Sequence, residues 1–240
     1  MSGTGGVDLP LTRICYYLIN KEQKLMQHII FDLDGTLIDS KNEIFKTYKT
    51  VFEQIPPAKM PEIEELDYGQ TINDVLKSVY GDDMVRIGEA KQLFVSIYDR
   101  SDFADTQLYE GVYETLNELK ENGHELYIAT NKRYYPTTMV LGKKGIGYLF
   151  SGIMANEMEP GITLSKRQMI AGLKKSGSFS SGFMVGDSVG DIQAGNEEQL
   201  ITVAVKYGYE EESKLLEKNP RYLIDSFHKL STIIDAQGMF

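Results

Sequence analysis

The sequence predicts an α/β protein in which a parallel β-sheet carries helices on both faces and a helical segment is inserted after the first strand. Two observations lead to this fold class. Short apolar runs typical of buried strands alternate with helical patterns over most of the 240 residues, and such alternation is typical of right-handed crossovers between parallel strands. Residues 41 to about 105 interrupt this rhythm with helical patterns and no strand signal.

Five apolar runs predict the strands of the sheet. They are HIIF at 28–31, ELYIAT at 125–130, GIMA at 152–155, GFMVG at 182–186 and ITVAV at 201–205. Helical patterns lie between several of them. In EGVYETLNELKENG, for example, Val112, Leu116 and Leu119 fall on one face, and Gly123 supplies a helix stop.

Three helices are predicted within the insertion. The segment KNEIFKTYKTVFEQIPP forms the first, and its apolar stripe consists of Ile44, Tyr48, Val51, Phe52 and Ile55. Thr71 and Asp74 resemble a capping box that opens the second. A third pattern runs from Val85 to about Arg100.

The predicted domains follow from these patterns. Residues 27–40 and 106–240 form an α/β core, and residues 41–105 form a helical cap. Residues 1–26 are Gly-rich at their start and show no sustained period. We expect them to be an N-terminal extension, either disordered or an artefact of an over-extended start or an expression leader; a real N-terminal arm is the alternative.

Composition and charge exclude several classes of function. The net charge is −10 with a pI near 4.9, and no run of Lys or Arg exceeds a pair, so a nucleic-acid partner is not expected. The single cysteine, Cys15, allows neither an internal disulfide nor a thiolate metal cluster. The apolar run ICYYLI at 14–19 is too short to span a bilayer. A cytoplasmic protein without membrane attachment is expected.

Polar side chains follow three of the predicted strands, where each strand ends. They are Asp32, Asp34, Thr130, Asn131, Asp187 and Asp191. Because the carboxyl ends of parallel strands meet at one edge of a sheet, these side chains are expected to share a pocket. Converging carboxylates repel each other by about 4 kcal/mol per pair at about 4 Å and an effective dielectric of about 20. A bound cation would offset this repulsion, and oxygen ligands favour Mg²⁺.

These motifs resemble those of the haloacid dehalogenase-like superfamily of hydrolases over about residues 27–235. The D-x-D-G-T motif stands as residues 32–36, and the G-D-S-x-x-D motif stands as residues 186–191. Thr130 matches the Thr or Ser that closes the next core strand. Lys166 matches the lone lysine of the third motif. The resemblance implies a Rossmannoid parallel sheet with an inserted α-helical cap.

The resemblance also implies a role for each motif residue. Asp32 would be the nucleophile that forms an aspartyl phosphate, and Asp34 the general acid and then the base. Lys166, oriented by Asp191, would neutralise the phosphoryl oxygens. The implied phosphate-binding residues are Gly35, Thr130, Asn131 and Lys166. The implied metal ligands for Mg²⁺ are Asp32, Asp34 (through its carbonyl), Asp187 and Asp191.

Plainer interpretations remain open for several of these residues. The Asp-Gly pair at 34–35 is common in solvated turns. Lys166 is also consistent with a solvated lysine at a helix start, and Asp191 with a helix-capping acid. Asn131 is consistent with a cap for a helix that begins at Pro136, and KRYY at 132–135 with an exposed basic turn.

Among members of the superfamily, phosphatases resembling phosphoglycolate phosphatase match best, notably over YEGVYETLNELKENGHELYIATNK. Dehalogenation is disfavoured because Asp34 is present. β-Phosphoglucomutases share all four motifs, but they typically carry a histidine early in the cap, and DSKNEIFKTYKT has none. A nucleotidase, a pyrophosphatase and a catalytically silent binding protein on the same fold also stay open at this point.

The expected partner is a small soluble phosphomonoester. Its specificity would be set in the cap, where Tyr68, Gly69 and Gln70 are predicted to lie in the loop that faces the pocket. The sequence carries no signal for an oligomeric state.

Overall fold

The computed structural model describes residues 25–62, 66, 70–159 and 161–237. Its centre is a six-stranded parallel sheet. The strands are β1 (His28–Phe31), β4 (Glu125–Arg133), β5 (Phe150–Asn156), β6 (Phe183–Gly186), β7 (Ile201–Val205) and β8 (Tyr222–Ile224). Their order across the sheet is β5-β4-β1-β6-β7-β8. The predicted α/β class is confirmed.

Helices cover both faces of this sheet. They are α4 (Val112–Glu121), α5 (Tyr134–Lys143), α6 (Lys166–Ser176), α7 (Val189–Glu197), α8 (Glu212–Glu217) and α9 (Lys229–Gln237), with a short 3₁₀ turn at Gly147–Leu149. In β1 the side chains alternate between the two faces. Ile29 and Phe31 pack into the core cluster that includes α4 and α9, whereas Ile30 packs into the cluster that includes α6. Burial on both faces explains why the strand is continuously apolar.

Three helices lie between β1 and β4 along the chain. They are α1 (Lys41–Gln54), α2 (Ile72–Tyr80) and α3 (Met84–Tyr98), and α3 packs against the other two. Thr71 is the N-cap of α2, and its hydroxyl oxygen accepts the Asp74 backbone N–H at 3.3 Å. The division into a core and a cap stays a prediction. Tyr68 and Gly69 lie outside the described residues, as do residues 1–24 of the predicted extension.

A two-stranded antiparallel ribbon brackets these three helices. It pairs β2 (Ile38–Asp39) with β3 (Gln107–Leu108). The ribbon holds together the two points at which the chain leaves and re-enters the sheet region. Sequence patterns missed both strands because two residues are too few to show an alternating period.

Several boundaries differ from the predicted ones, and the difference at the end of β4 affects the site. Strand β4 continues beyond Thr130 to Arg133. Helix α5 therefore begins at Tyr134, with Arg133 as its N-cap, and the interpretation of Asn131 as a helix cap is wrong. No helix in the described part of the chain is long and apolar enough to cross a bilayer.

Candidate active site

The carboxyl ends of β4, β1 and β6, which are neighbours in the sheet, open into one cavity of about 350 Å³. Most of the residues that the sequence predicted for the site line it together: Asp32, Asp34, Thr130, Asn131, Lys166 and Asp187. Gly35 and Asp191, which were also predicted, are not among the lining residues. Residues of the inserted helices α1, α2 and α3 line it as well, including Tyr48, Val75 and Phe94. Gln70 also lines the cavity. The topology thus brings together residues that are more than 150 positions apart.

The turn after β1 brings Asp32 and Asp34 to this cavity. The Leu33 carbonyl accepts the backbone N–H groups of Thr36, Leu37 and Ile38, which closes a tight loop. Gly35 has a φ of +84°, a left-handed conformation that favours glycine. Asp32 is buried, so its carboxylate is not part of a solvated turn.

Lys166 is a buried cation rather than a solvated lysine. It is the first residue of α6, which Ser165 caps through a capping box with Gln168. Its Nζ lies 2.6 Å from Asp32 Oδ1 and 2.8 Å from Asp191 Oδ1. It also donates to the Ala129 carbonyl at 2.9 Å. Burial by itself lowers the pKa of Lys166, but Asp191 and Asp32 outweigh it, so the net pKa is raised and the side chain stays charged.

Asp191 both caps a helix and holds Lys166. Its Oδ2 accepts the backbone N–H of Ser188 at 3.1 Å and the Ser188 hydroxyl at 2.7 Å, completing the capping box of α7. Its Oδ1 pairs with Lys166. The interpretation of Asp191 as a helix-capping acid is therefore correct but incomplete, because its Oδ1 also belongs to the buried charge cluster around Lys166.

Asp187 is held by hydrogen bonds from two loops. The Thr36 hydroxyl donates to its Oδ1 at 2.9 Å, and the Tyr209 backbone N–H donates to its Oδ2 at 2.8 Å. Within the described part of the chain no cationic side chain pairs with it. Burial raises the pKa of Asp187 well above its usual value, and the charges of Asp32 and Asp191 raise it further.

The three buried acids are arranged so that they could share a cation. Asp32, Asp187 and Asp191 each offer a carboxylate oxygen, and these oxygens lie within 4.8 Å of one another. Burial raises the pKa of Asp32 to about 7 even though Lys166 opposes the shift. Three carboxylates therefore face one ammonium group, and the cluster has a deficit of positive charge that a divalent cation would offset.

Asp34 has different neighbours. Its Oδ1 accepts Lys132 Nζ at 2.8 Å and also the Ser40 hydroxyl. The Lys132 side chain is only 5% exposed, so the interpretation of residues 132–135 as an exposed basic turn is wrong for this residue. The predicted strand ends at Thr130 and therefore leaves out Lys132; in the structure the strand continues, with an irregular register between Thr130 and Arg133 that no sequence pattern indicates.

Thr130 and Asn131 reach the cavity from β4. Thr130 is buried, and its hydroxyl oxygen accepts the Lys132 backbone N–H at 3.2 Å. The Asn131 carbonyl accepts Asn156 Nδ2 at 2.9 Å, and Asn156 Oδ1 accepts the Leu164 backbone N–H at 2.9 Å. Asn156 therefore links the end of β4 to the loop before Lys166. Sequence reasoning did not identify it, because a lone asparagine at a strand end carries no distinctive pattern.

Fold and site together define an α/β enzyme with acidic groups at the carboxyl edge of a parallel sheet. The family model for haloacid dehalogenase-like hydrolases matches residues 29–205, which is more than half of the chain, and the chain belongs to this family. It is therefore a hydrolase, and its relatives indicate a phosphatase.

Individual relatives agree with this assignment. The chain is 30% identical to a phosphoglycolate phosphatase from Haemophilus influenzae over 85% of this chain and 96% of that protein. It is 27% identical to a pyrophosphatase from Bacillus velezensis over 90% of this chain and 98% of that protein. The structure of a haloacid dehalogenase-like hydrolase from Streptococcus pneumoniae, at 23% identity, shares the fold with a TM-score of 0.77 over 87% of this chain and 98% of that one.

Proposed function

We propose that the protein is a Mg²⁺-dependent phosphatase that hydrolyses a small soluble phosphomonoester through an aspartyl phosphate on Asp32. The observation that carries this proposal is the contact of Lys166 with both Asp32 and Asp191. Lys166, Asp32 and the neighbouring Asp187 line the cavity. A buried carboxylate beside a fixed ammonium group is suited to accept a phosphoryl group whose oxygens need positive charge around them.

The residues present fit a magnesium ion. The donors are hard carboxylate oxygens, and Asp187 has no cationic partner within the described residues, so its charge is not yet balanced. Asp32 and Asp187 would hold the ion together with the Asp34 carbonyl, while Asp191 mainly positions Lys166. When bound, Mg²⁺ would supply charge neutralisation that lets an anionic nucleophile approach a phosphate dianion.

In the first step, an Asp32 carboxylate oxygen attacks phosphorus and the bond to the leaving oxygen breaks. The carboxyl group of Asp34 gives its proton to that oxygen, and the alcohol departs. Lys166 donates to the transferring phosphoryl group, and Thr130 and the Asn131 backbone provide further hydrogen-bond donors at the edge of β4. Gly35 donates its backbone N–H to the Ile38 carbonyl at 2.8 Å, so its part in the site is to shape the turn that carries Asp34.

In the second step, a water molecule attacks the phosphorus of the aspartyl phosphate. Asp34, now a carboxylate, takes a proton from this water, since the group that acted as acid must act as base on return. The bond between phosphorus and the Asp32 oxygen breaks. Inorganic phosphate leaves, and both carboxyl groups return to their starting states.

Similarity to phosphoglycolate phosphatases supports a small phosphorylated metabolite as the substrate, and the volume of the cavity is compatible with one. The relative from Bacillus velezensis makes pyrophosphate the second candidate. A β-phosphoglucomutase-like phosphotransferase, a nucleotidase and a silent binding protein are less favoured. The composition favours a cytoplasmic setting.

The decisive experiment compares Asp32→Asn with the wild type. We expect the variant to lose Mg²⁺-dependent phosphate release while it unfolds at a similar temperature, because an amide of the same shape is a poor nucleophile. The matched control is Asp105→Asn, which removes an exposed carboxylate paired with Lys46 and should be fully active. The wild-type protein should release no phosphate after treatment with a chelator. Multiple turnover by Asp32→Asn, with deamidation excluded by mass spectrometry, contradicts the proposal.

A further inference from the structure

Lys132, near the end of β4, contributes a buried ammonium group to which the proposed mechanism gives no role. Its Nζ donates to Asp34 Oδ1 at 2.8 Å and to the Tyr98 hydroxyl at 2.7 Å. It also lies 4.9 Å from the centre of the Tyr98 ring. Its backbone N–H donates to Thr130 Oγ1 at 3.2 Å. One residue thus contacts the proton-transfer group, a phosphate-binding residue and helix α3.

Stability alone does not account for an ammonium group paired with a carboxyl group at this depth. The exposed fractions of the two side chains are 5% for Lys132 and 12% for Asp34. Desolvation of a buried ammonium group is costly, and apolar residues of the same volume often serve the fold equally well. A buried pair placed on the group that transfers the proton therefore points to the chemistry of that group.

The two donors to Asp34 converge on the same carboxylate oxygen. Lys132 and the Ser40 hydroxyl both donate to Oδ1. Among the described residues, none donates to Oδ2, and Asp34 lines the cavity. With one oxygen held from two sides, the carboxyl group cannot rotate freely, and its other oxygen is available to a leaving group or a water molecule. Proton transfer depends on such alignment.

The position of Lys132 depends in turn on α3. Tyr98 is the last residue of that helix; it is buried and packs against Phe94 and Phe103, each with ring centroids 5.4 Å away. Beside it, Asp99 Oδ2 accepts a hydrogen bond from Arg133 Nη1 at 3.1 Å. Two consecutive residues of β4 therefore hold two consecutive residues at the end of α3. Only Lys132 of this pair also contacts Asp34.

We propose that Lys132 is a positioning residue that holds the Asp34 carboxyl group in the orientation needed for proton transfer. The hydrogen bond from Lys132 to the Tyr98 hydroxyl of α3 keeps the lysine in this position. The proposal rests on the role given to Asp34 in the proposed function. It predicts that Lys132 matters most when the leaving group needs a proton. A residue that only anchored α3 would matter equally for every leaving group.

The test measures kcat/KM for Lys132→Met on an alkyl phosphomonoester and on p-nitrophenyl phosphate, whose leaving group departs without a proton. This parameter reports steps up to departure of the leaving group, so the later hydrolysis of the aspartyl phosphate does not enter it. We expect a loss of about 10–100-fold on the alkyl ester, below the 10²–10⁴-fold that complete acid–base catalysis supplies. The loss on p-nitrophenyl phosphate should be only a few-fold. In an Asp34→Asn background, Lys132→Met should cause no further loss on the alkyl ester.

Two further variants separate positioning from anchoring. Arg133→Met removes the neighbouring ion pair with Asp99 at the end of α3 and leaves the contacts of Asp34 unchanged. Any loss of kcat/KM that it causes should be equal on the two substrates. Tyr98→Phe keeps the ring and removes only the hydroxyl that Lys132 contacts. It should cause a smaller loss than Lys132→Met, again confined to the alkyl ester.

Equal losses on both substrates for Lys132→Met, or a further loss in the Asp34→Asn background, would overturn the proposal. If thermal unfolding shows that Lys132→Met does not fold, Tyr98→Phe decides: a selective loss supports positioning, and a uniform loss or none overturns it. Failure of the proposed function is recognised separately. Asp34→Asn alone would then show no selectivity for the leaving group, which removes the basis of both proposals.

Discussion

Gly35 lies directly against the carboxylate of Asp187. A Cβ built on Gly35 would stand 2.1 Å from Oδ2 and 2.6 Å from Cγ of that residue. The backbone of Gly35 also has a φ of +84°. The glycine of the D-x-D-G-T motif thus serves two purposes: it allows the turn after β1, and it leaves room for an acid delivered by β6.

Gly35→Ala is therefore expected to disturb metal binding more than folding. The new methyl group would push the Asp187 carboxylate away from its hydrogen bonds to Thr36 and Tyr209. We expect the Mg²⁺ concentration for half-maximal activity to rise by about 10–100-fold, the usual effect of disturbing the support of a metal ligand.

Gly123→Ala is the matched control for this variant. Gly123 also has a φ of +84°, but a Cβ there would meet nothing within 4 Å. Both substitutions incur the left-handed strain of about 1–2 kcal/mol, so both should lower the unfolding temperature. Only Gly35→Ala should change the Mg²⁺ requirement. An equal change in the two variants would show that backbone strain, not contact with Asp187, is responsible.

Stabilisation by Mg²⁺ is expected to grow with pH. Burial raises the pKa of Asp32 to about 7 in the metal-free protein and raises that of Asp187 well above its usual value. Between about pH 4 and pH 7 the folded state holds protons that the unfolded chain has released, so metal-free stability falls as pH rises through this window. Mg²⁺ needs the deprotonated carboxylates and replaces those protons.

The measurement is the unfolding temperature with chelator and with saturating Mg²⁺, at about pH 5.5 and about pH 8. The shift caused by Mg²⁺ should be clearly larger at the higher pH. Asp187→Asn should show little shift at either pH, since it lacks one of the two carboxylate ligands proposed for the ion. An Mg²⁺ shift of the same size at both pH values in the wild type would refute the coupling between protons and metal.

Lys166→Met is expected to damage both catalysis and stability. Removing the ammonium group leaves Asp32 and Asp191 without their shared partner, and breaking a buried pair costs about 3–5 kcal/mol. kcat/KM should fall by about 10²–10³-fold, as when a single donor to a developing oxyanion is lost. The destabilisation should be smaller at acid pH, where Asp32 can take up a proton instead.

Lys174→Met, on the same helix, is the control for Lys166→Met. Its Nζ bonds to the Glu198 carbonyl at 2.7 Å and does not line the cavity. It should change stability slightly and leave kcat/KM near the wild-type value. Near-normal kcat/KM in Lys166→Met would remove this residue from the mechanism.

The parts of the fold that the sequence predicts well are those with strong local patterns. Strand β1 at His28–Phe31 and strand β7 at Ile201–Val205 have the predicted bounds, since each is a short buried run with polar ends. Strand β8 at Tyr222–Ile224 was missed because three residues within a polar stretch carry no period. The family motifs led to Asp32, Lys166 and Asp187 before any geometry was known.

Sequence patterns do not predict contacts between residues that lie far apart in the chain. The pairing of Lys132 with Tyr98 joins β4 to α3, and the sequence around each residue carries no pattern that predicts this contact. Even the charge of Lys132 is misleading in the sequence, since a pair of basic residues such as Lys132-Arg133 is usually solvated. The support that Tyr209 gives to Asp187 through its backbone N–H is invisible to any pattern of side chains.

The cap is expected to restrict the enzyme to small substrates. The cavity of about 350 Å³ lies between the carboxyl edge of the sheet and apolar side chains of the inserted helices, among them Tyr48 and Phe94. This volume is at the low end for ligand pockets, and a phosphate on a folded protein could not pass beneath the helices. kcat/KM should therefore be much higher for small phosphomonoesters than for a long phosphopeptide.

A pair of cap variants tests whether the cavity wall sets this limit. Phe94→Leu removes a ring that lines the cavity, whereas Phe52→Leu removes a ring that is equally buried in the cap but does not line it. Both should lower the unfolding temperature, because each deletes buried apolar volume. Only Phe94→Leu should raise kcat/KM for a bulkier phosphomonoester relative to a small one, since it widens the space around the leaving group. If the wild type hydrolyses the phosphopeptide as efficiently as the small esters, the cap does not gate the site and the small-substrate assignment is wrong.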